Sequence, residues 1–109
     1  MTDIVSDDRV QKALSYLALT DEKCAKAKSL MLGLEHQLKT VKSVGYMQSE
    51  GTVAERESQA YTSQSYKDHV HKLEEATYDY ELMRNKRLTE ELIVECWRTT
   101  QANRRRGNM

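Results

Sequence analysis

The side chains able to ligate or catalyse in this 109-residue chain are three histidines, two cysteines and a set of carboxylates. Their spacing argues against a shared centre. His69 and His71 are two residues apart, whereas neighbours on one helix face are three or four apart, so the two rings point in different directions and do not share a metal. His36 stands alone. Cys24 and Cys96 form no CxxC, and no histidine lies at zinc-ligand spacing from either. Glu74-Glu75 and Glu90-Glu91 are adjacent pairs, the pattern of a solvated face. The sequence has no phosphate-binding glycine loop, no GxSxG and no HExxH. It reads as a chain without a cofactor, a metal or an enzyme's nucleophile.

The remaining chemistry is electrostatic. Seventeen acids balance seventeen bases, but unevenly. Residues 21–42 hold five lysines against three acids, residues 67–91 seven acids against five bases, and residues 95–106 four arginines against one glutamate. Basic zones on helices attract phosphate. Lys39 and Lys42, with Tyr46 close by to stack on an unpaired base, form one candidate nucleic-acid site. Arg98, Arg104, Arg105 and Arg106 form the other. Either zone also fits a plain solvated face, and arginines at a helix C-terminus complement its dipole.

The elements that carry these groups are helical. Proline is absent, glycine occurs four times, and charged residues make up 31%, so little punctuates the chain into strands. The expected fold is all-α, a long antiparallel hairpin resembling a coiled coil, in one domain over residues 1–109. A loose tail, 1–6, ends at a capping Ser6. A short helix, 7–19, precedes a possible break or bend at Thr20-Asp21-Glu22. In the long helix, 21–44, Cys24, Ala27, Met31, Leu34, Leu38 and Val41 alternate spacings of three and four, a seam that demands a partner helix. It extends backward through Leu17, Ala13 and Val10. Gly45 and Gly51 bracket the tip, 45–51. Thr52-x-x-Glu55 is a capping box opening the returning helix, 52–86. Its seam turns polar near Asn85, and an apolar face resumes in a new phase in a C-terminal helix, 87–105. A tip centred on Gln48 sets Met31 opposite Ser65 and Tyr66, and Cys24 opposite Lys72 and Leu73. That register keeps Cys24 and Cys96 far apart.

The C-terminal helix is also the greasiest stretch. With Leu88 at zero and about 100° per residue, Leu92 falls near ~40°, Cys96 near ~80°, Ile93 near ~140°, Trp97 near ~180° and Val94 near ~240°. One neighbouring helix does not cover so wide an arc. Leu88, Leu92, Ile93, Cys96 and Trp97 are therefore the candidate oligomer interface. The N-terminus, MTDIVSDDRV, is acidic and has no apolar run, and no stretch is long and apolar enough to span a membrane. With two isolated cysteines, this places the chain in a reducing cytoplasm, with no membrane partner.

The order of these parts resembles a family. A short helix precedes a lysine-bearing helix with Leu38-Lys39-x-x-Lys42. A Tyr/Gly tip, a returning helix with Tyr66-Lys67 and a terminal helix with aromatic and Cys residues follow. Over roughly 10–106, the pattern is similar to the recombination mediator proteins of T-even-type phages, and the ending WRTTQANRRR resembles small phage proteins of that kind. The resemblance implies a helical homo-oligomer that assembles through its C-terminal part and binds single-stranded DNA. It also implies dealings with a recombinase and a single-strand binding protein. Lys39 and Lys42 match the basic residues near the end of that family's long helix, whereas Arg104 to Arg106 have no counterpart in it. The alternatives left by composition are a phage scaffolding or packaging protein and an inhibitor of a host nuclease, both acting through protein contacts.

Overall fold

The computed structural model describes residues 4–107. All regular structure among them is helical: α1 at Asp7–Met47, α2 at Val53–Thr62 and α3 at Gln64–Gly107. The chain is an antiparallel helical hairpin. Its contacts divide into two compact units, Met1–Ala25 with Glu81–Met109, and Lys26–Tyr80, and α1 and α3 each contribute to both.

Each long helix carries one uninterrupted heptad seam. On α1, positions 10, 13, 17, 20, 24, 27, 31, 34, 38, 41 and 45 are all buried or half-buried. On α3, so are positions 66, 69, 73, 76, 80, 83, 87, 90, 94, 97 and 101. The alternation of three and four never lapses, as a 3.5-residue contact period requires. The new phase expected after Asn85 is therefore absent. What looked like a lost seam is a polar stretch of the same one, in which Arg87 and Glu90 occupy seam positions.

Those polar positions are bridged across the hairpin. Arg87 Nη1 donates to the Leu17 carbonyl (2.8 Å) and to Thr20 Oγ1 (2.7 Å), and Nη2 reaches Asp21 at 3.3 Å. Arg9 Nη2 donates to Glu90 Oε1 at 2.8 Å. Oε2 of Glu90 lies equally close to that nitrogen but out of hydrogen-bond alignment, so the pair is a one-bond ion pair, not a bidentate fork. Hydrogen bonding to Glu90 raises the Arg9 pKa above its usual value, so Arg9 stays cationic.

Arg87 also explains why α1 does not break at Thr20. The Thr20 hydroxyl donates to the Tyr16 carbonyl (2.7 Å) while accepting from Arg87. A residue that competes with the helix when isolated is here satisfied inside it. The expected short helix 7–19 and long helix 21–44 are one element. Likewise the expected helices 52–86 and 87–105 are not separated near Asn85, since α3 runs through.

The interruption falls at Ser63 instead, in an extended conformation (φ −64°, ψ 149°). Its hydroxyl donates to the Ala60 carbonyl at 2.9 Å and accepts from Tyr66 N at 3.2 Å, closing α2 and opening α3 with one side chain. The bend places Tyr61 edge-on to Tyr66, with ring centroids 5.3 Å apart.

The turn lies later than expected. Helix α1 continues through Gly45 to Met47, and residues 48–52 reverse the chain. Gly51 has a positive φ of 116°. The capping box is present: Glu55 N donates to Thr52 Oγ1 (3.2 Å), and Thr52 N donates to Glu55 Oε2 (3.3 Å). Gly45 matters for a different reason. A Cβ there would stand 3.3 Å from Ala60 Cα, so the absent side chain lets α2 press on α1. The observed register differs from the expected one by about two turns of helix. Leu34 offers its carbonyl to His69 Nε2 at 2.7 Å, where the expected pairing sets it near Thr62.

At the amino end, Ser6 caps α1 through Arg9 N (3.1 Å), as expected. Val5 is buried, so the loose tail does not extend to it, and residues 1–3 lie outside those described. The core is thin. Among the described residues the buried ones are Val5, Val10, Ala13, Ala60 and Ala76, and no large side chain is fully enclosed.

Two substitutions test this packing in denaturation followed by circular dichroism. Gly45→Leu overpacks the contact with Ala60 and lowers stability by about 1–3 kcal/mol. Thr20→Val alone leaves part of the half-buried guanidinium of Arg87 without its acceptor and costs about 1–3 kcal/mol. Thr20→Val with Arg87→Leu removes both partners and restores the wild-type midpoint or exceeds it.

Candidate functional site

Among the described residues, no three of His, Cys, Asp and Glu converge as a metal would need. His69 is engaged with the Leu34 carbonyl. His71 sits 3.1 Å from Glu75 on the solvent side of α3, and His36 is exposed. Both cysteines are free, Cys24 half-buried and Cys96 exposed.

The first basic zone is assembled as a site. Lys39, Lys42 and Tyr46 line one shallow groove of about 380 Å³ beside Ser43, Met47 and Glu57. The residues are three and four apart on α1, which aligns them on one face. Two of the three are already occupied. Lys42 Nζ stands over the Tyr61 ring, 4.3 Å from its centroid. Hydrogen bonding to Tyr61 raises the Lys42 pKa above the usual lysine value, with Glu57 adding to the effect. Arg56 lies over the Tyr46 ring at 5.9 Å, fixed by a 3.1 Å bond from its Nε to the Gly51 carbonyl. The site therefore has a third cation, Arg56, that the spacing on α1 alone does not reveal. Its tyrosine stacks on that cation, not on open solvent, and Glu57 offsets part of the charge.

The second zone is the end of α3. Arg98 pairs with Glu95 at 3.1 Å. Arg104, Arg105 and Arg106 form the last turn of the helix, where positive charge opposes the dipole, and all three are exposed. The two zones belong to different units of the chain.

The candidate oligomer interface is divided by the structure. Val94 and Trp97 lie on the seam and face α1, and Trp97 Nε1 donates to Asp7 Oδ1 at 2.8 Å. Trp97 is thus engaged within the hairpin. Ile93, at the flank of the seam, is half-buried. Leu88, Leu92 and Cys96 remain outside. Leu92, 69% exposed, points away from α1, with Leu88 at 41% beside it. The wide arc inferred from the helical wheel is really two faces, one for the hairpin and one left to solvent.

A further apolar surface lies in the Lys26–Tyr80 unit. Leu38, Tyr66, Val70, Leu73, Thr77 and Tyr78 floor an open groove of about 620 Å³, with Glu74 at its side. Tyr78 is 67% exposed. Position 78 falls outside the seam phase, and its side chain faces water.

Compared with known protein families, curated proteins and solved structures, the chain matches none. Its function is therefore argued from these surfaces. No described helix is long and apolar enough to cross a membrane.

The division of α3 is testable by pairing two variants. Trp97→Ala lowers the unfolding free energy by about 1–3 kcal/mol, because it removes a seam contact and a hydrogen bond. Leu92→Glu changes it by no more than about 0.5 kcal/mol at concentrations where the chain is monomeric. Equal destabilisation by both would put Leu92 in the hairpin core.

Proposed function

We propose that this chain is a non-enzymatic accessory protein of the cytoplasm. It assembles with copies of itself and binds single-stranded DNA, the role of the phage recombination mediators whose pattern it resembles. One observation carries the reading. The C-terminal part of α3 joins an exposed leucine face turned away from the hairpin, Leu88 and Leu92, to a terminal turn of three exposed arginines. A thin core supports the first half. With no large side chain enclosed, burial between copies supplies apolar contact that one hairpin lacks. The arginines support the second half. Assembly repeats each cluster, and phosphate affinity rises with the number of contacts. A recombinase and a single-strand binding protein are the further partners this role calls for.

A second reading, a phage assembly protein or nuclease inhibitor acting by protein contacts, draws on the tip. There Arg56 covers Tyr46 and Glu57 lies among the lysines, which suits a mixed-charge protein partner better than a base.

Light scattering and fluorescence polarisation separate the two. The first reading expects an oligomer at micromolar concentration that binds labelled single-stranded oligonucleotides at low salt and releases them as salt rises. Arg105→Gln with Arg106→Gln weakens binding and reduces the log–log salt slope by ~0.7 for each lost contact. Assembly without oligonucleotide binding selects the second reading. A strict monomer defeats self-association in both.

A further inference from the structure

Helix α3 carries a second stripe at coiled-coil spacing. In its Glu81–Met109 part, Leu82, Asn85, Thr89, Leu92, Cys96 and Thr99 alternate steps of three and four, and all six are exposed. At about 100° per residue they fall within ~100° of arc, turned ~150° from the seam that faces α1. The exposed charged residues of the same stretch, Arg84, Lys86, Glu91, Glu95 and Arg98, all lie off it. Both threonines are satisfied within the helix. Thr89 Oγ1 donates to the Asn85 carbonyl at 3.1 Å and Thr99 Oγ1 to the Glu95 carbonyl at 3.0 Å, so covering them strands no hydroxyl proton. This alternation is the spacing that sets knobs into the holes of another helix, and α1 lies on the other side.

We propose that this stripe pairs with the same stripe of a second copy, the two α3 helices running parallel and in register. This rests on the self-association reading above and specifies its contact. The edges of the stripe select the occupant. Glu81 and Leu88 flank it on one side, Lys86 and Ile93 on the other. In a parallel pair, edge residues five apart meet across the contact. Glu81 then meets Lys86 of the second copy and Leu88 meets Ile93, each twice by symmetry. On the stripe, leucine meets leucine, and Asn85 meets its own copy, an amide that both donates and accepts. The antiparallel alignment that overlaps the whole stripe sets each leucine against a threonine and Asn85 against Cys96. Slid by a heptad, it matches Leu82 with Leu92 but sets Glu81 against Glu95 and Lys86 against itself. Glu75 and Arg106 are next in phase, and like charges meeting there end the parallel contact. Parallel pairing also brings the Arg104–Arg106 turns of both copies to one end, which multiplies the phosphate contacts open to one strand.

In register, the two Cys96 thiols face each other within the span of a disulfide, which gives the test. Chains carrying Cys24→Ala are oxidised with diamide, which takes up the two electrons and two protons released as the S–S bond forms, and are followed by non-reducing electrophoresis and light scattering. The chain retaining Cys96 is expected to cross-link to a dimer that dithiothreitol reverses. With Cys96→Ser added, Leu82→Cys is expected to cross-link likewise, and Glu91→Cys, off the stripe, is not. Leu92→Glu sets two carboxylates against each other and is expected to be monomeric where the wild type assembles, with helix content unchanged by circular dichroism. Wild-type assembly by the Leu92→Glu variant, or cross-linking at position 91 in preference to 96, overturns the stripe as the contact while leaving self-association intact. A mixed disulfide between an Asn85→Cys, Cys96→Ser chain and the Cys96 chain, in excess of disulfides within each, makes the pairing antiparallel and overturns the proposal. A monomeric wild type sinks the self-association reading, and this inference with it.

Discussion

Two helices in contact can hide only one stripe of each from water. That constraint governs this molecule. The seams of α1 and α3 run in strict alternation of three and four, and they mix small side chains (Ala13, Gly45, Ala76) with large ones (Leu34, Leu38, Leu73, Tyr80, Trp97). Close approach follows from small side chains, as Gly45 shows against Ala60. The large seam side chains are only half-buried, because two helices cannot surround them. Leu88, Leu92, Leu30, Leu19 and Tyr78 stay largely in water because no third layer covers them. A hairpin built this way has apolar surface to spare.

The polar stretch of the seam plays a different part. Arg87 and Glu90 stand where a coiled coil ordinarily places apolar side chains, and each finds a partner on α1. Replacing such groups with apolar ones need not weaken a fold, and their best-attested use is to define register. Apolar residues elsewhere on the seam carry no directional bond to resist slippage by a heptad. Arg87 does, since only one alignment offers it Thr20, Asp21 and the Leu17 carbonyl together. Asp7 acts similarly on the Trp97 indole nitrogen. The amino end of α1 and the carboxyl end of α3 are thereby held by directional contacts, and in the Lys26–Tyr80 unit His69 makes one to the Leu34 carbonyl.

Charge is arranged to follow the same division. Acids collect on the α3 portion of the Lys26–Tyr80 unit and arginines on the last turn of α3. A chain with no net charge can therefore present surfaces of opposite sign. At the tip, Lys42 is drawn into contact with Tyr61, and Arg56 with Tyr46. The basic character there is partly consumed in holding α2 against α1.

The sequence alone determined the helical class, the α1 seam from Cys24 to Val41, the Ser6 cap and the Thr52–Glu55 capping box. All of these are local: a periodicity of one helix, or a hydrogen bond spanning three residues. It also marked Lys39, Lys42 and Tyr46 as neighbours, since four-residue spacing on one helix guarantees a shared face. Only the tertiary structure decided what depends on the opposite helix. Thr20 reads as a helix breaker until Arg87 is seen to satisfy it. Arg87 and Glu90 read as the end of a seam until their partners on α1 are in place. Ser63 closes one helix and opens the next with a single hydroxyl, which its neighbours in a polar run do not advertise. Trp97 and Leu92 look equivalent on an isolated helix, and the position of α1 alone assigns one to the hairpin and the other to solvent. A side chain's type states what it can bond with; whether it is buried, paired or free is fixed by which helix lies across from it.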